Sequence, residues 1–241
     1  MNDLLYICKK FKSKNMKRTT FGIFLFLVFM ASPSMNAQSI SKGAMKKVTV
    51  GLDIFTDMWS NTPTNVTIRT VNPSANTYIT YNMNVANSKN LTFGIGLGIG
   101  NHNMYCNNGY IENIKTDTIK YIPVNSSLHM KRSKLSVTYL EVPLELRFRS
   151  KSDFKISVGF KLGYLIDSKE KYVGNTTPKG AIQLIKRKGI SQLNTFEYSP
   201  TLRIGYKSFN LFFSYALGPV FRIDHGPQLH PMSLGITLTP F

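Results

Sequence analysis

The chain has 241 residues, enough for one substantial domain, and its formal charge is +18 from 30 Lys and Arg against 12 Asp and Glu. Residues 1–37 hold six basic residues and one acid, so the remainder keeps 24 basic against 11 acidic residues, a net of +13. A basic surface suits phosphates, and the export signal read below excludes nucleic acid as the partner. Two cysteines, Cys8 and Cys106, exclude a disulfide framework and a cysteine-rich metal site.

From Met16 the sequence reads MKRTTFGIFLFLVFMASPSMNAQ. Lys17 and Arg18 form a positive n-region, and residues 21–30 form an apolar core of signal-peptide length. That core is too short for a membrane-spanning helix, which needs about 20 residues. Cleavage is expected between Ala37 and Gln38, so residues 1–37 read as an upstream extension plus signal peptide and 38–241 as the mature domain. Cys8 departs with the signal, and Cys106 reads as a loop thiol.

Beyond Ala37 the pattern alternates with period two, the mark of strands with two unlike faces. Eight such segments follow, near 48–54, 79–85, 91–100, 140–149, 154–164, 196–207, 209–217 and 232–238. In the third, Leu91, Phe93, Ile95, Leu97 and Ile99 alternate with Thr92 and four glycines. Short connections (87–90, 150–152, 207–208) alternate with long ones (57–76, 101–133, 167–192, 218–230). An even strand number and that rhythm fit an outer-membrane barrel with short periplasmic turns and long outer loops. The predicted fold is all-β: an eight-stranded antiparallel up-and-down transmembrane β-barrel with four long outer loops, in the cell outer membrane. A lipocalin-like soluble barrel is the competing architecture. It would leave the glycine row on a water-facing exterior with nothing to pack, whereas a narrow lumen needs that space. Tyr81, Tyr139, Phe148, Tyr164, Tyr206 and Tyr215 are expected in interfacial girdles.

The stretch Tyr139-Leu140-Glu141-Val142-Pro143-Leu144-Glu145-Leu146 resembles a motif of small Bacteroidetes outer-membrane barrels, the PorT-like or porin-family group. The Ala37-Gln38 signal end, the Gly-rich third strand and the Gly163-Tyr164 pair resemble that group as well. The resemblance implies an outer-membrane barrel and, for PorT itself, a part in protein secretion. Phe241 looks like the terminal aromatic read by barrel-assembly machinery, although counting back by twos from it lands on the polar face.

The polar faces carry the candidate site. Asp53, Glu141, Glu145, Arg147, Lys161 and Arg203 read as a lumen charge network, with Arg149, Lys155 and Lys207 beside it. Such a network closes the lumen by ion pairs or lines a narrow anion-preferring conduit or proton path. Two basic clusters, Lys131-Arg132-Lys134 and Lys186-Arg187-Lys188, read as lipopolysaccharide-facing or as solvated loop charge. His102, His129, His225 and His230 fall in long loops, and no spacing marks a nucleophile or a zinc site. No catalytic residue, metal or cofactor is expected. The expected partners are outer-membrane lipid and lipopolysaccharide, the assembly machinery and secretion-system proteins. The expected function is a non-enzymatic barrel accessory to protein secretion. The alternative is a structural or surface-binding barrel that contacts lipopolysaccharide or other proteins through loops 101–133 and 167–192. A lipid-modifying enzyme, with Asp224-His225 as its candidate pair, is the third class.

Overall fold

The computed structural model describes residues 47–239 apart from 87 and 89. The signal peptide with its core at 21–30, the Ala37-Gln38 junction, Cys8 and Phe241 lie outside the described residues.

Eleven strands follow in chain order: β1 (Val48–Ser60), β2 (Pro73–Asn84), β3 (Leu91–Cys106), β4 (Gly109–Ile111), β5 (Tyr121–Pro123), β6 (Met130–Arg149), β7 (Phe154–Gly174), β8 (Gln183–Lys188), β9 (Phe196–Tyr206), β10 (Phe209–Tyr215) and β11 (His230–Leu238). Eight of them close an antiparallel barrel in the order β1-β2-β3-β6-β7-β9-β10-β11, with β11 returning to β1. All eight predicted segments are barrel strands. The short turns lie at the end where β1 begins, and tightness there is met by positive φ at Ala86, Asp153 and Lys207.

The faces follow from what each meets. Val50, Ile54, Ile79, Leu97, Val158 and Leu211 point outward and are about half exposed or more, as a lipid-facing surface requires. Polar residues of the same strands are buried inside. The glycines of β3 supply the space. A Cβ at Gly100 would fall on the Glu141 carboxylate, and one at Gly51 of β1 on the Tyr78 ring.

Several strands run further than their alternation suggested. β6 and β7 have 20 and 21 residues, whereas crossing a bilayer takes about 9–11. The surplus stands beyond the membrane at the long-loop end, which outer-membrane barrels turn outward. Within the loops β4 and β5 form a small hairpin, and β8 adds to the upper half of β7.

Three expectations are corrected here. Tyr139 is not in a girdle: it shares the inward face of Glu141 and is 2 % exposed. His102 lies within β3, buried, rather than in a solvated loop. Cys106 ends the same strand and is also buried. The other five girdle candidates do face outward.

Candidate functional site: a plugged lumen beneath a folded cap

The lumen is filled by two linked polar storeys. In the lower one Arg203 of β9 spends its whole guanidinium. Its Nη2 donates to Asp53 Oδ2 at 2.8 Å, its Nη1 to Glu145 Oε1, and its Nε to Thr237 Oγ1 at 3.0 Å. Its flat faces meet the rings of Tyr78 and Phe212, 5.0 and 4.8 Å from the centroids. Such stacking is a favourable cation–π arrangement when desolvated. Arg147 donates from Nε to Glu145 Oε2 at 2.7 Å and from Nη1 to Asn82 Oδ1 at 2.6 Å.

In the upper storey Lys161 of β7 lies 2.8 Å from Glu141 Oε1 and 3.5 Å from Glu197 Oε1. His102 Nδ1 is 3.1 Å from both oxygens of Asp57, while its Nε2 faces Lys161, Glu141 and Glu197 at 3.5 to 4.0 Å. The hydroxyls of Ser74 and Ser233 donate to Asp57 at 2.6 and 2.7 Å. Every one of the eight barrel strands thus contributes a side chain to one storey or the other. Charges out of water persist when paired and hydrogen-bonded, and removing one partner typically costs about 3–5 kcal/mol.

The lumen residues named from sequence (Asp53, Glu141, Glu145, Arg147, Lys161, Arg203) meet in these storeys. Asp57, Glu197 and the aromatics Phe55, Tyr78 and Phe212 join them without having been singled out, as does His102, which the sequence placed in a loop. Alternation could have found Asp57 and Glu197, since each shares parity with a named inward residue. Below the plug a cavity of about 840 Å³ opens at the short-turn end, where Arg149 and Lys155 stand opposite one another on β6 and β7. Lys207 occupies the β9–β10 turn and lies over the Tyr206 ring.

No hydrogen bond joins His102 to a hydroxyl among the described residues. His225 is exposed, and its Nδ1 meets the carbonyl of Asp117 at 2.6 Å. Among the described residues no three His, Cys, Asp or Glu side chains form a metal-holding group.

Above the plug the four long loops fold together over an apolar core. Met104, Ile111, Val137, Phe221 and Leu229 are fully buried there, with Tyr139 and Cys106 beside them. Backbone hydrogen bonds tie loop to loop: Ile119 to His225, Ser191 to Ile114, Asn194 to Val220, Arg222 to Gln192. Burial pushes the Cys106 thiol up to about 12, with the nearby Glu170 carboxylate adding to the effect.

Strand pairing re-sorts the two basic clusters on the outside of this cap. Lys134 of β6 stands opposite Lys171 of β7, which stands opposite Lys186 of β8; one step along, Lys169 opposes Lys188. Arg132 lies on the same outward face as Lys134, and Lys131 falls at a register shift. Arg187 turns the other way. It clamps the buried Glu170 through Nε at 2.6 Å and reaches the carbonyls of Ile111 and Glu112. Lys169 and Lys171 were not singled out from sequence, because they enter the patch only through register.

The family match agrees with this architecture. The family model described as outer membrane protein beta-barrel domain matches residues 36–223. Among solved structures, the attachment invasion locus protein Ail of Yersinia pestis is similar at 9% identity, over 80% of this chain and 97% of that one, with a TM-score of 0.37. The same protein in complex with the heparin analogue sucrose octasulfate is similar at 11% identity, over the same shares, with a TM-score of 0.36. No curated protein matches.

Proposed function

The chain belongs to the outer membrane protein β-barrel domain family, and from that premise we propose that it is a sealed, non-enzymatic outer-membrane barrel whose folded outer cap is a binding surface. The observation that carries this reading is the double closure of the lumen. Ion-paired storeys drawn from all eight strands fill it, and an apolar cap core covers them. A filled eight-stranded barrel leaves no continuous water path, so the exposed chemistry lies on the cap, in contact with lipopolysaccharide or other proteins.

An accessory role in protein secretion is the second reading. It is favoured by the likeness of Tyr139–Leu146 to the PorT-like barrels of Bacteroidetes and by the cavity open toward the short-turn end.

One complementation experiment separates the two. A strain lacking the gene is restored with the wild-type chain or with a chain altered only on the outer cap face. The binding reading expects an unchanged set of secreted proteins and an envelope defect that follows the cap alteration. Loss of a class of secreted proteins, with precursors held in the periplasm, would replace it with the secretion role. Lipid A that changes on deletion would instead favour a lipid-modifying enzyme.

A further inference from the structure

Like charges placed directly opposite one another across paired strands destabilise a sheet, and this cap carries two such rows. Lys134, Lys171 and Lys186 run across three neighbouring strands, and Lys169 and Lys188 form a second row beside them. At the end of the first row, Lys134 Nζ lies 5.2 Å from the Tyr105 ring centroid, and Arg69 lies 5.4 Å from the same centroid. Asp167 is the carboxylate that register places on this face, and it is bound to Lys169 at 2.7 Å. Glu170, the acid between these lysines in sequence, is turned inward and held by Arg187. Asp167 apart, the outward face here is cationic, and Glu170 is neutralised on the inner side by Arg187.

With strands about 4.8 Å apart, the Lys134–Lys171–Lys186 row spans roughly 10 Å, and the second row lies about 7 Å from it. The patch is therefore wide enough for several phosphates, not one. Its height is set by the lipid belt. Lys169 is five residues beyond the outward Tyr164 of β7, about 16 Å along a tilted strand. That places the rows at the sugar-phosphate layer just above the outer-leaflet acyl chains.

We propose that this lysine lattice is a docking surface for the phosphate groups of lipopolysaccharide, several of which bridge the opposed lysines at once. The inference rests on the reading of the cap as a binding surface and names its partner. Bridging phosphates turn each like-charge pair from a repulsion into a shared charge-assisted contact, and they tie the β7–β8 extension down onto the outer leaflet.

The test uses the full chain refolded in zwitterionic detergent and titrated with lipopolysaccharide, either native or chemically dephosphorylated, and separately with heparin. Native lipopolysaccharide is expected to bind at least tenfold more tightly than the dephosphorylated form, with affinity falling as salt rises. The variant K134Q/K171Q/K186Q is expected to lose about fivefold per lysine, on the order of 100-fold together. Without ligand, the same variant should unfold at the wild-type temperature or above it, since its like-charge row is gone. Equal binding of the two lipopolysaccharide forms, or a variant that binds as wild type does, overturns the proposal. Heparin bound tenfold more tightly than native lipopolysaccharide also overturns it, in favour of a soluble sulfated glycan. Cys106 labelling separates the levels: with the thiol protected, such a failure removes only the partner, whereas a thiol labelled in the folded protein removes the folded cap itself.

Discussion

Arg203 shows how much one side chain can hold. It pairs with two carboxylates and a hydroxyl on three other strands while its guanidinium lies over two rings. Arg203→Met should therefore destabilise the barrel by about 3–5 kcal/mol, read from urea unfolding in lipid vesicles. Arg147→Met should cost less, because Arg147 is partly exposed and Arg203 would still hold Glu145. Equal losses would mean that the lower storey does not centre on Arg203. The inward glycines make a second prediction. A side chain at Gly100 collides with the Glu141 carboxylate, so Gly100→Val should displace Glu141 from Lys161 and cost about 1–3 kcal/mol as overpacking. A cost-free substitution would mean that the glycine is not there for space.

Among the elements, the membrane-crossing strands and the cap differ in what holds them. The cap is a small hydrophobic core on top of a polar-cored barrel, so it should be separately breakable. Phe221→Ala removes a fully buried ring, worth about 3–5 kcal/mol in a core. The expected result is loops 107–129 and 175–195 open to protease, with the heat-dependent gel shift of the barrel retained. Cys106 reports the same element. A thiol buried and raised to about 12 should resist a maleimide until denaturant is added. Immediate labelling of Cys106 in the native protein, with Cys8 replaced by Ser, would contradict the folded cap.

The difference between these elements also sets what could be read in the sequence. The eight barrel strands are legible because lipid on one side and a narrow lumen on the other impose strict alternation, as in Leu97, Gly98, Ile99, Gly100. The cap was not legible. Its hairpin strands β4 and β5 are three residues each, and its core is assembled from four separate loops rather than from one periodic segment. Tyr139 stands at girdle height, since its neighbour Leu140 pairs with Tyr164, but its parity with Glu141 puts it on the inward face. His102 escapes the pattern because β3 continues above the bilayer, and nothing local marks where lipid ends. The lumen charges were legible by parity, whereas the Lys134–Lys171–Lys186 row needed the register between strands far apart in the chain.

At the scale of the whole described barrel, the protein is polar inside, apolar around its waist and cationic at its outer rim. On the reading proposed above, those three properties make a barrel that anchors a surface and does not conduct. Single-channel recording of the full chain in planar bilayers tests this most directly. A sealed barrel gives no conductance steps above leak at either polarity, in wild type and in Phe221→Ala alike, because the ion-paired storeys close the lumen without the cap. Stable open steps from the wild-type protein, above all anion-selective ones, would contradict the plugged lumen and return the Arg203 and Lys161 network to the role of a conduit.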